Sequence, residues 1–468
     1  MPSSAAPSGT AGVALPWRWV VRGGGVARRP GRVATTIGLA VLAALCLPLA
    51  LGWLDAPPPA ESAPSAPVIL LEPGSPEGDV PRDPAGRSTD TGLVAQPLSA
   101  AKLAQLKPRL GDAEARLLAI YQLIALGDHR HALAATEALV ADHPNYALAQ
   151  LLRGDLLSLQ ARPVRRLGDV PDTLALSASR ALGTLREESR RRLQALIERP
   201  PEGAVPDQFL RLPPGTRHAI AIDTSRSRLY LFENGARAGD ELPRLRLVSD
   251  FFITVGLHGV DKRVEGDKRT PLGVYHITGS HDPEALPDLY GTGALPLNYP
   301  NALDVQRGRT GSGIWLHGTP SDQFVRAPQA SDGCVVLANP DLDRLLATVS
   351  PRQTPVVIAR ELVWVAPEAQ REAVAAFDTT WRAWLLARER GDTDALKTFH
   401  APRASVARDT APGPVGEVSL LRWQDTPDGP PTLVVTFEVS TPQGPQTRRQ
   451  YWSRDNARWL ITYEGVIG

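Results

Sequence analysis

The strongest chemical signal in the sequence is a histidine followed seventeen positions later by a cysteine. His317 ends an apolar run and precedes Gly318, and Cys334 directly follows Gly333. A free thiol has a pKa of about 8.5 and is only a few per cent ionised at neutral pH, so a cysteine that attacks an acyl group needs a base within hydrogen-bonding reach. We therefore expect cysteine acyl transfer, with Cys334 as the nucleophile and His317 as the general base.

Both candidate residues have a glycine as a direct neighbour. Gly333 permits a tight backbone approach beside the nucleophile. We expect the N–H groups of Gly333 and Cys334 to form an oxyanion hole, and Gly318 to let the chain pass close to the acyl donor.

Two segments resemble the signature of the YkuD-type L,D-transpeptidase family, in which a His-Gly pair precedes a Ser/Thr-x-Gly-Cys motif at about this distance. Here the pair is His317-Gly318, and the motif is the Ser-Asp-Gly-Cys run at 331–334. The segment 266–275, which contains Thr-Pro-Leu-Gly, is similar to the Thr-Pro-x-Gly hallmark of the same family. The resemblance covers about 218–360, and separated motifs in the right order are far more specific than one alone.

The resemblance implies a murein L,D-transpeptidase. The thiolate would attack the carbonyl between the L-centre of diaminopimelate and D-alanine in a peptidoglycan tetrapeptide stem, release D-alanine and pass the acyl group to an amine acceptor. It also implies that a backbone carbonyl or a small polar residue orients His317, and that Ser331, Asp332, Thr270 and Tyr275 contact the substrate. We expect no cofactor, and the histidines lack the spacing of a metal site.

The sequence departs from the commonest form of this family at two positions. Asp332 stands where many members have histidine, and Val336 stands where many have arginine or asparagine. These departures put the substrate contacts in doubt and resemble a subgroup that includes enzymes acting on protein-to-peptidoglycan links. The alternatives are therefore an amidase or hydrolase that cleaves protein-to-diaminopimelate links, and a catalytically weak cell-wall binding module.

Several residues near the motifs also have a plainly structural interpretation. A lone cysteine is usually a small buried hydrophobe, although the paired motifs favour catalysis. Asp332 either recognises an ammonium group or lies in solvent, and Asn339 is best explained as a helix cap. The charged segment 258–269 either holds the ends of a stem peptide or forms a charged hairpin loop. The insert 290–299 is interpreted as a lid.

The motifs lie in a region whose apolar residues follow the period of strands. Apolar runs at 219–222 and 228–232 flank a polar turn, which is typical of a β-hairpin. Further candidate strands are 247–255, 273–278, 313–317, 334–338 and 356–360. We predict a mainly antiparallel β catalytic domain over 215–361, which the family resemblance makes a YkuD-like β sandwich.

The flanking regions predict a multidomain protein. Helical periodicity covers 98–200 and breaks at Gly127-Asp128, an order that resembles a tetratricopeptide-like unit, with a plain helical bundle as the alternative. An amphipathic helix and four strands over 366–468 resemble the α+β cone of the nuclear transport factor two-like fold. We expect the helical region to bind lipoprotein or cell-wall protein partners.

The N-terminal segment predicts export and anchoring. A basic stretch at 1–32 precedes an apolar run at 33–54 that is long enough to cross a membrane, and 55–97 is a Pro-rich linker. We expect a single-pass inner-membrane protein with its catalytic part in the periplasm. A cleaved signal peptide is the alternative.

Composition narrows the remaining possibilities. The 468 residues are enough for several domains, and 51 basic residues nearly balance 50 acidic ones, so the net charge gives no reason to expect a nucleic-acid partner. The two cysteines are Cys46, within the apolar run, and Cys334. One would lie in lipid and the other in a folded domain, so we expect no disulfide between them.

Overall fold

The computed structural model describes residues 108–467 except 241, 243, 407–413, 425–428, 442–443 and 457. The predicted basic N-terminus, anchor and linker (1–32, 33–54 and 55–97) lie outside the described residues, as do 98–107 of the helical region. Within the described part, no helix combines the length and the apolar character needed to cross a membrane.

Five helices occupy residues 112–197, as the helical periodicity predicts. They are α1 (Asp112–Ala125), α2 (His129–Asp142), α3 (Ala147–Ser158), α4 (Asp172–Ser177) and α5 (Ser179–Ile197). The expected break between α1 and α2 is confirmed, since Gly127 has a φ of +74° and Asp128 caps α2 by accepting a hydrogen bond from His131 N at 3.3 Å. Helices α4 and α5 are divided at Ala178, where the backbone leaves helical geometry. The tetratricopeptide-like assignment stays a prediction.

The β domain combines a five-stranded and a three-stranded sheet around one hydrophobic core. The strands before residue 366 are β1 (Val205–Pro206), β2 (Phe209–Arg211), β3 (His218–Asp223), β4 (Arg228–Asn234), β5 (Leu245–Phe252), β6 (Val255–Gly256), β7 (Gly273–His276), β8 (Ala294–Pro296), β9 (Trp315–His317), β10 (Gln329–Ser331), β11 (Val335–Val336), β12 (Pro355–Ala359) and β13 (Trp364–Val365). The strand orders are β5-β4-β3-β12-β7 and β11-β9-β8. Short helices α6 (Ala302–Gln306) and α7 (Asn339–Leu346), with 3-10 turns Pro283–Ala285 and Asp288–Tyr290, connect the strands.

The strand pairings are more mixed than the expected antiparallel domain. β3 pairs with β4 and β4 with β5 in antiparallel fashion, as the hairpin signals predict, and β7 also pairs with the distant strand β12 in antiparallel fashion. However, β3 pairs with β12, β6 with β10 and β9 with β11 in parallel. Parallel partners require crossover connections between segments distant in the chain, so local turn residues could not predict them.

The C-terminal region forms a helix-covered sheet. Its elements are a 3-10 turn (Pro367–Gln370), α8 (Arg371–Glu389), α9 (Thr393–Lys397), β14 (His400–Val406), β15 (Val415–Trp423), β16 (Thr432–Thr441), β17 (Gly444–Asp455) and β18 (Arg458–Val466). The six-stranded order is β14-β18-β17-β16-β15-β2. One face packs on α8 through Trp381 and Trp384, and the other joins the β-domain core through Leu421 and Val434. Its likeness to a nuclear transport factor two-like cone stays a prediction.

Buried charges join the helices to the five-stranded sheet. Glu114 of α1 accepts a hydrogen bond from Arg228 Nη2 of β4 at 2.8 Å and forms an ion pair with Arg192 of α5. Arg228 is fully buried and also pairs with Asp250 at 3.4 Å, while Arg192 pairs with Glu188 at 2.9 Å. Buried charges are costly unless they are paired and hydrogen-bonded. This cluster therefore holds α1 and α5 against the sheet.

The turn between α2 and α3 holds the loop that separates the two motif segments. The Phe324 ring lies 4.5 Å from the His143 ring and 4.6 Å from the Tyr146 ring, measured between centroids. Asn145 donates from Nδ2 to the Ser321 carbonyl at 3.1 Å, and its own carbonyl accepts from Phe324 N at 3.4 Å. The helical region thus positions a loop that belongs to the β domain in sequence.

We predict that Glu114→Ala destabilises the protein strongly. The change removes the carboxylate shared by two buried guanidinium groups, and breaking a buried ion pair costs about 3–5 kcal/mol. Glu233→Ala is the matched control, because the ion pair of Glu233 with Arg246 is exposed and worth less than about 1 kcal/mol. Urea unfolding of both variants measures the difference, and equal free energies of unfolding would contradict the role of the cluster.

Candidate active site

The pairing of β9 with β11 places the candidate nucleophile beside the candidate base. The two strands run in parallel with Leu316 opposite Val335. One residue earlier on both segments, the same register puts Cys334 beside Trp315. Side chains alternate between the two faces of a strand, so His317 shares the face of Trp315 and hence of Cys334. The structure therefore brings together the two residues that the sequence separates by seventeen positions.

The imidazole of His317 is neutral and has a defined orientation. Its Nδ1–H donates to the Gly318 carbonyl at 2.7 Å, since a carbonyl oxygen can only accept, and Nε2 is left with the lone pair. Burial lowers the pKa of His317 to about 4; the positive charge of Arg326 acts in the same direction, and the hydrogen bond to Gly318 opposes both. The orienting group is a backbone carbonyl, and the ring can accept a proton at neutral pH.

Cys334 rests as a thiol. Burial is the main cause that raises its pKa, and the negative charge of Asp332 adds to it. A hydrogen bond from the Trp315 backbone and the positive charge of Arg326 oppose this rise. The side chain is half-buried, and Sγ donates to the Gly313 carbonyl at 3.4 Å. The resting pair is thus a thiol and a neutral imidazole rather than a thiolate and an imidazolium.

Hydrogen bonds within the protein hold the turn before the nucleophile. Ser331 Oγ donates to the Cys334 carbonyl at 2.6 Å and accepts from Gly333 N at 3.2 Å. Thr270 Oγ1 donates to the Gly333 carbonyl at 2.9 Å and accepts from Gly256 N at 2.9 Å. The backbone on both sides of Gly333 is therefore tied to two separate segments, which limits movement of the thiol.

Gly333 occupies a position that suits only glycine. Its φ is +126°, and a Cβ atom there would lie 2.8 Å from the Arg269 carbonyl oxygen and 3.2 Å from Ile314 Cδ1. The expected close backbone approach is present. The expected oxyanion role of Gly333 N–H does not fit this arrangement, because Ser331 Oγ already accepts from that group.

Three of the four residues expected to contact the substrate are buried. Ser331 belongs to the nucleophile turn, Thr270 is fully buried, and Tyr275 is fully buried with its hydroxyl on the Leu272 carbonyl at 3.1 Å. Thr270 and Tyr275 therefore support the fold instead of contacting a ligand. The burial of both side chains corrects the expectation that they contact the substrate. Asp332 is exposed, and its Oδ1 atom lies 3.3 Å from Lys268 Nζ.

Gly318 and Asn339 fit closely against each other. A Cβ atom on Gly318 would lie 2.0 Å from Asn339 Oδ1. Asn339 accepts from Thr319 N at 3.0 Å and from Thr292 N at 3.3 Å, and donates to the Thr319 carbonyl at 2.9 Å. The expectation that Asn339 caps α7 is wrong, because Ala338 is the N-cap residue. Asn339 instead fixes the segment that follows the candidate base.

The charged segment 258–269 is satisfied internally, which favours the charged-loop interpretation. Buried Lys262 donates to Asp267 Oδ1 at 2.8 Å, and His258 Nδ1 bonds to the Asp267 carbonyl at 3.0 Å. Burial alone would raise the pKa of Asp267, but the Lys262 ammonium and three backbone N–H groups lower it to about 2. Across the described residues, no group of three or more His, Cys, Asp or Glu side chains is arranged to hold a metal ion.

Only part of the insert 290–299 borders the site. The Tyr290 ring lies edge-on to the His317 ring, 5.0 Å between centroids, and the Tyr290 carbonyl accepts from Gly318 N at 2.9 Å. In contrast, Asn298 accepts from a backbone N–H of β7, and the Tyr299 side chain is buried. Tyr290 thus forms a wall of the site, while Asn298 and Tyr299 belong to the supporting structure.

Arg326 is a site residue that the sequence analysis missed. It is half-buried in the loop held by Phe324, and its charge acts on both Cys334 and His317. Its carbonyl accepts from Thr254 Oγ1 at 3.0 Å. Among the described residues, the guanidinium has no hydrogen-bond or ion-pair partner. A single arginine in a loop carries no sequence signal, so only the fold could identify it.

Comparison with a protein-family model supports the assignment of the catalytic domain. Residues 217–358 match the family model of the L,D-transpeptidase catalytic domain, YkuD. Bd1075 of Bdellovibrio bacteriovorus is 20% identical with a TM-score of 0.45, and the alignment covers 56% of this chain and 98% of that one. Pgp2 of Campylobacter jejuni, described as a helical cell shape determining protein, is 19% identical with a TM-score of 0.43, covering 56% and 95% respectively. No curated protein matches the chain.

We predict that alkylation of Cys334 depends on pH as it does for an isolated, buried thiol. The raised thiol pKa means that the iodoacetamide reaction rate still rises above pH 9. His317, with a pKa of about 4, carries no charge between pH 5 and 7 that could stabilise a thiolate, so no reactive plateau should occur there. Peptide mapping by mass spectrometry follows Cys334 separately from Cys46, with the urea-unfolded chain as control. A plateau near pH 6 would contradict the neutral pair.

Proposed function

We propose that this chain, which carries a YkuD L,D-transpeptidase catalytic domain at residues 217–358, acylates Cys334 with a peptidoglycan tetrapeptide stem. The observation that supports this proposal is the parallel pairing of β9, which ends at His317, with β11, which begins directly after Cys334. The diaminopimelyl group is then transferred from Cys334 to an amine acceptor during cell-wall remodelling.

The chemistry uses one proton acceptor and one nucleophile. Nε2 of His317 takes the thiol proton while Sγ of Cys334 bonds to the carbonyl carbon between diaminopimelate and D-alanine. The carbon–nitrogen bond then breaks, and the imidazolium returns the proton to the leaving nitrogen of D-alanine. In the second half, an acceptor amine attacks the thioester, loses its proton to His317, and the thiol is restored.

The electrostatics of the site support base-assisted attack. A neutral imidazole with a free Nε2 can accept the proton, whereas a protonated one could not. The hydrogen bond from Nδ1–H to the Gly318 carbonyl is present before the ring gains its positive charge. This hydrogen bond favours the imidazolium form. The positive charge of Arg326 favours the thiolate form of Cys334.

Arg326 is our candidate for recognition of the donor carboxylate. Guanidinium groups bind carboxylates through two parallel hydrogen bonds. The donor ends in the carboxylate of D-alanine, close to the bond that breaks. An unpaired guanidinium on a loop beside the nucleophile supports contact with that group, in place of the contacts first expected of Thr270 and Tyr275.

The same acyl-enzyme also serves the alternative reaction, in which water resolves the thioester. Asp332 is exposed at the rim of the site, where its carboxylate can hold an ammonium group. The free amino group of diaminopimelate in the donor stem is such a group, and so is an acceptor amine, so cleavage of protein-to-diaminopimelate links remains the second candidate. Product analysis distinguishes the two reactions.

Location and partners belong to the same proposal. Peptidoglycan lies outside the cytoplasmic membrane, which is consistent with an anchor at 33–54 and a periplasmic catalytic domain. The helical region is packed on the catalytic domain through Glu114 and Phe324. Its expected lipoprotein or cell-wall partners stay a prediction.

We predict that Cys334→Ala abolishes the covalent intermediate. The full chain is incubated with tetrapeptide muropeptides, for which intact-mass measurement detects the acyl adduct and chromatography identifies 3-3 crosslinks or tripeptides, and with purified sacculi, for which chromatography identifies released protein. His317→Gln should lower the rate by about 10²–10⁴-fold because it removes the base. Cys46→Ala is the control and should retain activity. An adduct that persists in Cys334→Ala would refute the assignment.

We predict that Arg326→Ala lowers kcat/KM for the tetrapeptide donor by about 10–100-fold, the worth of a lost hydrogen bond to a charged group. A donor whose terminal carboxylate is converted to an amide should react equally slowly with both enzymes. Arg246→Ala, which changes an exposed arginine, is the control. If the ratio of kcat/KM between wild type and Arg326→Ala is the same on the amidated donor as on the tetrapeptide donor, the proposed contact is wrong.

A further inference from the structure

A polar cavity lies between the C-terminal sheet and the β domain, and Cys334 and His317 are not among its lining residues. Its volume is about 140 Å³, and its walls include His276, Arg352, Thr436, Glu438 and Arg449. A water molecule needs roughly 10–15 Å³ on such a scale, so this space admits a small organic molecule. None of these residues takes part in the site described above.

The cavity exists because one face of the C-terminal sheet changes from apolar to polar along its strands. Leu421, Val434 and Tyr451 pack into the β-domain core from this face. Two residues away on β16 and β17, and therefore on the same face, stand Thr436 and Arg449, which lie opposite each other. The apolar contact ends where these polar residues begin, and the two domains separate there.

Arg449 is a buried cation without an anion. Its side chain is 4% exposed, Nε donates to Thr436 Oγ1 at 3.0 Å, and Nη1 has no hydrogen-bond partner among the described residues. The next residue, Arg448, points to the opposite face and has the Glu464 carboxylate at 3.5 Å. A buried guanidinium normally requires such a partner. The described part of the chain supplies one for Arg448 and none for Arg449.

His276 lines the same cavity from the β-domain side. It is 8% exposed, and its Nδ1 also lacks a hydrogen-bond partner among the described residues. Burial, and then the charge of Arg449, lower the pKa of His276 to about 3, so the ring is neutral. Two buried side chains therefore face a single space, and each has a nitrogen without a hydrogen-bond partner among the described residues.

Two carboxylates lie at the rim of the cavity, which also includes the exposed Arg352. Glu438 is exposed, and it lies two residues from Thr436 on the same face of β16. Glu417 also lines the rim, where it accepts from Gly215 N at 3.1 Å. A ligand that reaches Arg449 with an anionic end therefore places its other end beside carboxylates.

We propose that this cavity binds a small α-amino-acid zwitterion, with its carboxylate on Arg449 and its ammonium group near Glu438. The neutral His276 supplies a further hydrogen bond to the bound molecule. The separation of a buried cation from rim carboxylates selects a zwitterion over a simple anion. D-alanine has this chemistry, and its identity as the natural ligand rests on the proposed function, which releases it.

The test uses glycine and acetate as probes, measured by titration calorimetry on the full chain at constant ionic strength. Wild type should bind glycine at least about tenfold more tightly than acetate. Arg449→Gln should weaken glycine binding by about 10–100-fold, while Arg246→Gln, which changes an exposed residue, should not. Equal affinity of wild type and Arg449→Gln for glycine would overturn the proposal.

Glu438→Gln keeps the test decisive if Arg449→Gln misfolds, because Glu438 is exposed and its replacement does not disturb the core. This variant should lose the preference for glycine over acetate and retain acetate binding. A retained preference would overturn the zwitterion assignment.

Cys334→Ala should bind glycine as wild type does, so failure of the proposed acyl transfer would leave this inference intact. D-alanine against L-alanine then identifies the stereochemistry of the preferred ligand.

Discussion

The parallel pairing of β9 with β11 is the constraint on which the candidate active site depends. A shift of one residue in this register would move Cys334 to the opposite face from His317, because side chains alternate along a strand. The surrounding structure opposes such a shift from both sides. Thr270 holds the carbonyl of Gly333 before β11, and Asn339 holds the segment that follows β9.

Burial sets the electrostatic character of the reacting pair. In water, a cysteine and a histidine close together can form a thiolate and an imidazolium, but removal from solvent disfavours both charged forms. Here the pKa of His317 is lowered and that of Cys334 is raised, so both remain neutral at rest. Charge develops only when a substrate is attacked, and the Gly318 carbonyl is already in place to meet it.

Prediction of structure from the sequence was most successful where the signal was local. The hairpin of β3 and β4, the break between α1 and α2, and the paired motifs around His317 and Cys334 follow from residue types over short spans. It failed where a position depends on distant neighbours. Tyr275 lies in a strand as expected, but its ring points into the core, and Asn339 lies at the start of α7 but bonds to Thr319.

The sequence by itself determined the chemistry: a cysteine and a histidine in motifs at a set spacing, each beside a glycine that a close backbone approach requires. Only the tertiary structure decided which face each side chain occupies, how far burial shifts the pKa of each group, and which cations lack a partner. Arg326 and Arg449 stand in segments with no motif. Within the described part of the chain neither guanidinium has an anionic partner, a result of contacts between segments far apart in the chain that no local pattern of residues can encode.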